Sequence, residues 1–369
     1  MAESNRFLCE ACGQSYPLDT REWRCGCGGL LELDSWPAFD TECIDPDQPG
    51  LWRYRSLLPL DPAWEPVSLG EGNTPLLPVM WGDLSCLVKL ESLAPTGSFK
   101  DRGAAILVTA LRGLGIERVV EDSSGNAGAS LAAYAASAGI SCDICVPDTA
   151  AGPKIAQMTA YGAEVIQIRG KRGYAALAAW AAAAHGAYYA SHVYSPFFLA
   201  GTETVAYEIW EQLQHAAPAA VVMPVGNGTI LLGAYRGFSR LWQAGLIDRV
   251  PRIFGVQAAA CAPIYGAFDQ GRDSIEPVTC EATVAGGIAI TQPARGHQIL
   301  AAVRHSGGAI LAVQEEIIGQ TRIELAHRGF HVENTSAVAF AVLGRLAETF
   351  LQPDEGPVVV LLTGHGLKS

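Results

Sequence analysis

Charged residues are scarce in this chain, and the sequence holds neither a long apolar run nor a basic stretch. Asp, Glu, Lys and Arg make up 17% of the 369 residues, while hydrophobic types make up 49%. This composition excludes a disordered chain, which has few apolar residues and a high net charge. At roughly 100–200 residues per domain, the length predicts about two domains with a sizeable core.

Positive charge is also in deficit. Lys plus Arg number 25 against 37 Asp plus Glu, so the formal net charge is −12. Without a basic run, the sequence predicts neither nucleic acid nor an anionic membrane surface as a partner. A small anionic substrate is still compatible with this balance, because its site needs only a few local donors.

Membrane-spanning and export signals are missing from the sequence. The most apolar stretch, 175–190, is mostly alanine and is too short to span a bilayer, so it predicts a buried or half-buried helix. The first seven residues are polar and lack the apolar core of a signal peptide. We therefore expect a cytoplasmic protein whose ten cysteines are mostly reduced thiols or metal ligands.

Four cysteines are clustered near the N-terminus as a CxxC pair and a CxC pair: Cys9, Cys12, Cys25 and Cys27. Two close pairs of thiolates supply four soft ligands for a tetrahedral structural zinc, and a closed set of four leaves no catalytic position. The alternative is four unbound cysteines in a loose arm. A second pair, Cys142 and Cys145, lies in the apolar run SCDICVP and predicts core packing on a strand. The other cysteines are isolated in the sequence.

The texture of the chain changes near Val67. The preceding passage, 34–66, is rich in Pro and Trp and reads as a linker. Beyond it, short apolar runs alternate with Gly-rich loops and Ala-rich helical stretches, which is typical of a parallel α/β sheet. Strands are predicted at 118–121, 219–224 and 358–362, followed by the loops SSGNAG, VGNGT and TGHG, with helices from about 129 and 231. Ligands bind beyond the carboxyl ends of such strands, where all three loops fall.

One of these loops is a candidate phosphate cradle, formed by Gly226, Asn227, Gly228 and Thr229. Its backbone N–H groups can converge at a helix N-terminus, where an anion is favoured. The loop lacks the GK[ST] of a Walker A motif and the GxGxxG of a dinucleotide site. A simple turn is the alternative.

Lys100 follows Gly-Ser-Phe and precedes an Ala-rich helix. A cation is disfavoured at a helix N-terminus, which favours the neutral amine that acts as a nucleophile. The alternative is a surface lysine paired with Asp101.

The stretch PTGSFKDRG at 95–103, followed by SSGNAGAS at 123–130, resembles the fold type II family of pyridoxal-phosphate enzymes, which includes tryptophan synthase β. Within that family the chain is most similar to the threonine synthases. Supporting motifs are EGNTPL at 71–76, PKIAQMTAYGAEV at 153–165 and the terminal LLTGHGLK. The N-terminal cysteine pairs also occur in some threonine synthases.

The resemblance implies an α/β architecture of two open twisted sheets with helices on both faces, preceded by a small zinc-ribbon-like segment. The expected organisation is a ribbon at 1–35, a linker or wrapping segment at 36–66, a large cofactor-binding domain at 67–103 and 195–369, and a small mobile domain at 104–194. It places the cofactor in the cleft between the last two. A homodimer is expected from the resemblance alone.

The resemblance also implies roles for the cofactor site. Lys100 matches the Schiff-base lysine, with Phe99 beside it, and Asn126 matches the asparagine beside the cofactor 3′-oxygen. The loop 226–229 matches the 5′-phosphate site, and Thr363 matches the hydroxyl that faces the pyridine nitrogen. A hydroxyl partner makes the cofactor a milder electron sink than a carboxylate does. Taken singly, Asn126 could be a turn residue and Thr363 an ordinary strand-end hydroxyl.

The implied substrate is a small amino acid that carries phosphate. Its α-carboxylate is assigned to the loop of Ser123, Ser124 and Gly125. The candidates for its phosphate are Ser98, Arg102 and Lys154. Arg102 could instead form a salt bridge with Asp101, and Lys154 could be a solvated lysine at a helix start.

The implied reaction converts O-phosphohomoserine and water to threonine and phosphate. One alternative is a related enzyme of β-replacement or elimination acting on phosphoserine, O-acetylserine, serine or threonine, as in a cysteate-synthase-like or secondary-metabolism role. Another is a non-catalytic zinc-binding scaffold. The chain departs from the family pattern at Ala94, in 333–336, which reads ENTS, and in the short GNGT loop. Apart from the GNGT loop, these departures lie outside the assigned cofactor contacts and bear on the substrate more than on the cofactor.

Overall fold

The computed structural model of the chain describes residues 6–150, 152–170, 172–350 and 355–369. The chain divides into two compact units. Unit 1 comprises Met1–Glu71 and Lys100–Thr202, and unit 2 comprises Gly72–Phe99 and Glu203–Ser369. The chain passes from one unit to the other after residues 71, 99 and 202. The sequence predicted domain boundaries after residues 66, 103 and 194.

Strands and helices alternate through most of the chain. The strands are β1 (Arg6–Cys9), β2 (Ser15–Pro17), β3 (Leu31–Leu33), β4 (Leu76–Trp81), β5 (Leu84–Lys89), β6 (Arg118–Glu121), β7 (Ser141–Pro147), β8 (Glu164–Ile168), β9 (Tyr188–Tyr189), β10 (Ala220–Pro224), β11 (Arg252–Ala258), β12 (Ala309–Val313) and β13 (Val358–Leu361). The helices are α1 (Lys100–Gly113), α2 (Asn126–Ala138), α3 (Pro153–Ala160), α4 (Arg172–Ala184), α5 (Pro196–Gln212), α6 (Thr229–Gln243), α7 (Pro263–Asp269), α8 (Gly296–His305), α9 (Glu315–His327), α10 (Asn334–Ala337) and α11 (Leu343–Thr349).

Unit 1 contains two sheets. The first is a small antiparallel sheet in the order β2-β1-β3, in which a left-handed Gly13 closes the β1–β2 hairpin. Phe7 of this sheet is buried and meets Phe197 edge-on, with ring centroids 5.4 Å apart. The second sheet is parallel throughout, in the order β8-β7-β6-β9. The predicted parallel α/β organisation is therefore confirmed in this unit.

Unit 2 is built on one sheet in the order β12-β11-β10-β13-β5-β4. Every pairing is parallel except that of β4 with β5. The last strand of the chain, β13, lies between β10 and β5, and all four of its residues are buried. The carboxyl ends of β5, β10, β11, β12 and β13 therefore lie along one edge of the sheet.

Two predicted helix starts need correction. Helix α2 begins at Asn126 and α6 at Thr229, whereas the sequence predicted about 129 and 231. In both cases a glycine directly before the helix, Gly125 or Gly228, adopts the non-helical conformation that ends the loop. The next residue is then free to enter helical geometry at once.

The alanine-rich stretch 175–190 forms a half-buried helix over most of its length, as predicted. On α4, Ala175 and Ala179 are fully buried, while Tyr174 is 57% exposed. The helix ends at Ala184, before the stretch does, because a turn with Gly186 at φ +104° leads into β9. Among the described residues, no helix is both long and apolar enough to cross a membrane.

The cysteines outside the N-terminal cluster are four free thiols, of which Cys43 is half-buried and the others are buried, and one disulfide. Cys142 and Cys145 are buried on β7, so the predicted core packing is confirmed. Cys261 and Cys280, which look isolated in the sequence, form a disulfide, while the other eight cysteines are free, in line with the expectation of mostly reduced thiols or metal ligands. The two disulfide cysteines meet because the loop after α7 returns to the end of β11, where the Glu281 N–H donates to the Ala260 carbonyl at 2.9 Å.

In unit 1, helix α1 and the first part of α5 touch backbone to backbone, which requires glycine at the contact. A Cβ added to Gly201 would lie 2.0 Å from the Arg102 carbonyl oxygen, and one added to Gly103 would lie 2.4 Å from the Phe198 ring. This close approach fixes the helix whose first residue is Lys100.

We predict that Gly201→Ala lowers the free energy of unfolding by more than about 2 kcal/mol, because backbone atoms must separate to admit the methyl group. Gly319→Ala is the matched control, since it lies in α9 with nothing within 4 Å of the added Cβ. The control should be neutral or stabilising by up to about 1 kcal/mol through helix propensity. Denaturant unfolding of both variants checks this, and equal effects would contradict it.

Candidate functional site

Lys100 is the first residue of α1 in unit 1. The sequence predicted a position just before the helix, one residue away. Its side chain is half-buried, and Nζ lies 5.8 Å from the centroid of the Phe198 ring. The helix therefore presents this lysine at its N-terminal end, against an aromatic side chain held by the α1–α5 contact.

The next residue, Asp101, connects α1 to α2 through a hydrogen bond. It is fully buried and accepts a hydrogen bond from Ser130 of α2, with Oδ1 and Oγ 2.6 Å apart. Ser130 lies one helical turn after Asn126, which begins α2. The bond therefore ties the helix that starts with Lys100 to the helix that starts with Asn126.

A second buried carboxylate, that of Glu71, also contacts α2. Glu71 accepts hydrogen bonds from Trp52 Nε1 at 2.6 Å, Tyr134 Oη at 2.7 Å and the Leu69 N–H at 2.8 Å. Burial, together with the negative charges of Asp101 and Glu71, raises the pKa of Tyr134. The phenol therefore stays protonated and acts as a donor, which ties α2 to Glu71 one helical turn beyond Ser130.

The predicted substrate residues of unit 1 differ in accessibility. Arg102 is fully buried, and Lys154, the second residue of α3, is half-buried. The loop before α2 is ordered from within, since the Gly125 N–H donates to Ser123 Oγ at 3.3 Å. Ser124 is half-buried beside it. Helix α2 has no side-chain cap, so its N-terminus remains suited to an anionic group.

The glycine-rich loop 226–229 lies in unit 2 at the carboxyl end of β10, as predicted. Gly228 has φ +75° and precedes α6, which has no side-chain cap. A Cβ at Gly228 would lie 2.3 Å from Ile299 Cδ1, and one at Gly226 would lie 3.0 Å from the Ile288 Cα. Neither position tolerates a larger side chain without movement, so the loop is a tightly bounded cradle of backbone atoms.

Thr363 is buried two residues after the end of β13, the strand that pairs with β10. Its carbonyl accepts from the Phe99 N–H at 3.1 Å, and Ser98 forms a bridge with Gly364. Its hydroxyl lies 3.1 Å from the Ser336 Oγ. The fold thus brings Ser98, Phe99 and Thr363 together at one edge of the sheet in unit 2.

Ser98 supplies a direct test of whether this edge fits a ligand. The residue is fully buried, and its Oγ has no hydrogen-bond partner among the described residues. A buried hydroxyl without a partner is costly, so a group that supplies one stabilises the site. Together with the glycine cradle and the Thr363 hydroxyl, this edge fits a ligand that carries phosphate and a ring atom able to form a hydrogen bond.

His365 shapes the loop that follows Thr363. Its Nδ1 accepts from the Leu367 N–H at 3.2 Å, and its ring centroid is 5.8 Å from that of His331. The Gly366 N–H donates to the His331 carbonyl at 2.9 Å. Both histidines therefore have structural contacts within unit 2.

The four N-terminal cysteines converge in unit 1. Their sulfur atoms all lie within 4.8 Å of one another, and the Cys9–Cys27 and Cys12–Cys25 sulfur pairs are each 3.5 Å apart. Gly29 permits this approach, because a Cβ there would lie 2.6 Å from the Cys9 sulfur.

Residues 67–364 match the family described as pyridoxal-phosphate dependent enzymes. The match includes both the lysine at the start of α1 and the glycine cradle after β10. The chain belongs to this family.

Curated relatives extend the similarity along nearly the whole chain. A threonine synthase of Methanocaldococcus jannaschii is 37% identical over 98% of this chain and 92% of its own length. One from Methanosarcina acetivorans is 35% identical over 98% and 91%. One from Mycobacterium tuberculosis is 36% identical over 85% and 87%. The predicted resemblance to threonine synthases within the pyridoxal-phosphate family is therefore confirmed.

Solved structures share the fold at lower identity. An L-serine ammonia-lyase from Rhizomucor miehei has a TM-score of 0.71 at 22% identity, covering 83% of this chain and 96% of that one. Maize serine racemase has a TM-score of 0.70 at 19% identity, covering 79% and 88%. The predicted α/β architecture of a fold type II pyridoxal-phosphate enzyme is thus confirmed.

Sequence reasoning missed the residues that brace the site. Ser130, Glu71 and Ser336 became visible only through tertiary contacts. Glu71 and Ser130 lie within the quoted motifs EGNTPL and SSGNAGAS, so the motifs marked their neighbourhood without marking their role. Ser336 lies in a stretch that had been noted only as a departure from the family pattern.

We predict that Gly228→Ala destabilises the protein more than Gly245→Ala. Both glycines have positive φ, +75° and +71°, but only the Gly228 methyl would collide with Ile299. The backbone strain of about 1–2 kcal/mol is common to both variants, and overpacking adds about 1–3 kcal/mol at Gly228 alone. Thermal unfolding without added cofactor measures the difference. Equal losses would mean that Ile299 yields and that the cradle is not tightly bounded.

Proposed function

We propose that this chain is a pyridoxal-phosphate dependent threonine synthase, which converts O-phosphohomoserine and water to threonine and phosphate. The observation that carries the proposal is 37% identity to a threonine synthase over 98% of the chain. The motif around Lys100, on which the first resemblance rested, lies within the residues 67–364 that match the family. A homodimer, expected from the resemblance, and a cytoplasmic location, expected from the lack of membrane and export signals in the sequence, remain predictions.

The proposed cofactor residues are those that the family resemblance implies. The backbone of 226–229 would hold the phosphate at the start of α6, and Thr363 would pair with the ring nitrogen. Lys100 would hold the cofactor covalently through its amine, and Asn126 would donate to the 3′-oxygen. When bound, pyridoxal phosphate supplies an electron sink for charge that develops on the substrate carbons.

Lys100 is the proposed proton carrier. In its free form, the Lys100 amine would take the proton from the substrate Cα. A further proton leaves Cβ as the bond from Cγ to the phosphate oxygen breaks, and a proton is returned at Cγ. Water then adds its hydroxyl at Cβ and its proton at Cα, which completes threonine.

Substrate recognition is proposed to use neutral donors at one end and a cation at the other. The loop 123–125 would bind the α-carboxylate through hydroxyl and N–H groups. For the phosphate, Ser98 and Lys154 are favoured over Arg102. Full burial of Arg102, beside Asp101 and Tyr134, supports a role in balancing that buried charge instead.

Activity with O-phosphohomoserine tests this proposal. Purified protein with added pyridoxal phosphate should release inorganic phosphate and threonine in equal amounts, as measured by a phosphate assay and amino-acid chromatography. Lys100→Ala should lower the rate by at least about a thousandfold, since it removes both the covalent anchor and the proton carrier. Arg272→Ala, which alters an exposed ion pair with Glu276, is the control and should retain full activity.

A protein that binds the cofactor but releases neither product would contradict the proposed substrate. Phosphoserine, O-acetylserine, serine and threonine are then the compounds to test. Full activity in Lys100→Ala would contradict the proposed role of the lysine whatever the substrate.

We further propose that the four N-terminal cysteines bind a structural zinc ion. Zinc–sulfur bonds of about 2.3 Å in a tetrahedron place the sulfurs roughly 3.8 Å apart, and the observed separations of up to 4.8 Å are close to that arrangement. A hydrogen bond from Tyr16 to the Cys25 sulfur, at 3.2 Å, lowers the pKa of Cys25 to about 6, with the Cys27 N–H contributing next. The ion would tie β1 and the loop before β3 together.

We predict about one zinc per chain in purified protein, as measured by elemental analysis. Cys27→Ser should lose the metal and lower the unfolding temperature by several degrees, because a structural ion stabilises only the folded state. Cys43→Ser alters a cysteine outside the cluster and should keep both. A metal-free wild-type protein whose four thiols react freely with a thiol reagent would contradict the proposal.

A further inference from the structure

Ser336 of α10 and Thr363 form a buried pair of hydroxyls in unit 2. Ser336 is fully buried and Thr363 is 3% exposed, so water is excluded from both. The two Oγ atoms are 3.1 Å apart, and either can be the donor. Within the described residues, Ser336 is the only hydrogen-bond partner of the Thr363 hydroxyl.

The Ser336 hydroxyl has one proton and two possible acceptors for it. The Gly364 N–H donates to its Oγ at 2.8 Å and takes up one lone pair. The single proton can then go to the Gly364 carbonyl, 3.2 Å away, or to Thr363. Because a hydroxyl donates only once, the choice is exclusive.

The Gly364 carbonyl does not depend on Ser336. It already accepts from the Glu333 N–H at 3.1 Å, so it remains satisfied when the Ser336 proton turns away. The Ser336 N–H in turn donates to the Glu333 carbonyl at 2.9 Å, which fixes the turn that carries the hydroxyl. Both orientations of the Ser336 proton are therefore compatible with the surrounding backbone.

We propose that Ser336 is a positioning residue for the cofactor ring nitrogen, because the direction of its single proton decides whether Thr363 offers that nitrogen a donor or an acceptor. The inference rests on the proposed function, in which Thr363 pairs with the ring. No covalent bond changes: each hydroxyl keeps its proton and only rotates.

The two arrangements suit different states of the ring. When Ser336 donates to Thr363, the Thr363 proton points outward and suits an unprotonated nitrogen. When Ser336 donates to the Gly364 carbonyl, Thr363 donates back to Ser336 and offers a lone pair, which suits a protonated nitrogen. The pair thus lets a neutral hydroxyl accommodate the stronger electron sink, which a lone threonine does less well because its own proton lacks an acceptor.

Removing the Ser336 hydroxyl should bias this equilibrium. In Ser336→Ala the Thr363 proton has no other acceptor among the described residues, so it is directed to the ring nitrogen and favours the unprotonated form. The resonance of the ring nitrogen in bound, isotopically labelled pyridoxal phosphate reports this state directly by NMR. It should lie closer to the unprotonated position than in the wild-type protein at the same pH.

Kinetics should change in a way that a general loss of structure would not produce. A weaker electron sink slows proton removal, so kcat should fall roughly five- to tenfold, the effect of about one hydrogen bond. KM should stay within about twofold, since the ring nitrogen does not bind the substrate. In the Thr363→Val background, Ser336→Ala should add little to either readout, because its effect passes through Thr363.

Ser306→Ala is the matched control. Ser306 also has a buried hydroxyl that accepts a backbone N–H, from Ile253 at 3.1 Å, and donates to a carbonyl, that of Val303 at 2.9 Å. It lies at the amino end of β11, away from the carboxyl edge. Its variant should lose stability comparably and leave the ring-nitrogen signal unchanged.

The outcomes separate this inference from the proposed function. An unshifted signal in Ser336→Ala, or additive effects with Thr363→Val, would reduce Ser336 to a structural role. If Ser336→Ala does not fold, Ser336→Cys serves instead, since a thiol is a much weaker donor and should shift the signal in the same direction.

If the wild-type protein binds the cofactor but makes no threonine, the substrate proposal fails while the NMR comparison still decides the role of Ser336. A wild-type protein that binds no cofactor overturns both.

Discussion

The position of the last strand is the constraint on which the carboxyl edge of unit 2 depends. β13 is inserted between β10 and β5, so the end of the chain pairs with segments that precede it by well over a hundred residues. That insertion places Thr363 beside the loop 226–229 and lets the Phe99 N–H reach its carbonyl. If β13 were displaced, the cradle and Thr363 would no longer share an edge.

Unit 1 achieves its arrangement through close packing rather than through strand order. Gly201 and Gly103 let α5 approach α1 until backbone atoms touch, and the Asp101–Ser130 bond then ties α1 to α2. Buried polar bonds of this kind are costly to disrupt, because each partner left alone stays desolvated. The lysine and asparagine at the two helix starts are thus held by contacts one to four residues further along each helix.

Local signals predicted much of this, and long-range contacts account for what they missed. The strand at 118–121 and the glycine loop before α6 follow from apolar runs and turn residues, and the Ala-rich stretch after Lys100 predicted the helix that this lysine begins. By contrast, the Cys261–Cys280 disulfide and the Ser336 hydroxyl depend on segments that only the folded chain brings together. The early starts of α2 and α6 were missed because a glycine was read as part of the loop rather than as its final residue.

Covalent capture of the cofactor tests the central claim most directly. Borohydride reduction of the protein with pyridoxal phosphate fixes the cofactor to whichever lysine holds it, and peptide mass spectrometry then locates the modified residue. The other lysines are Lys89, Lys154, Lys171 and Lys368. The account predicts one modified site, Lys100, in near-stoichiometric amount. Modification at another lysine, or none, would contradict it.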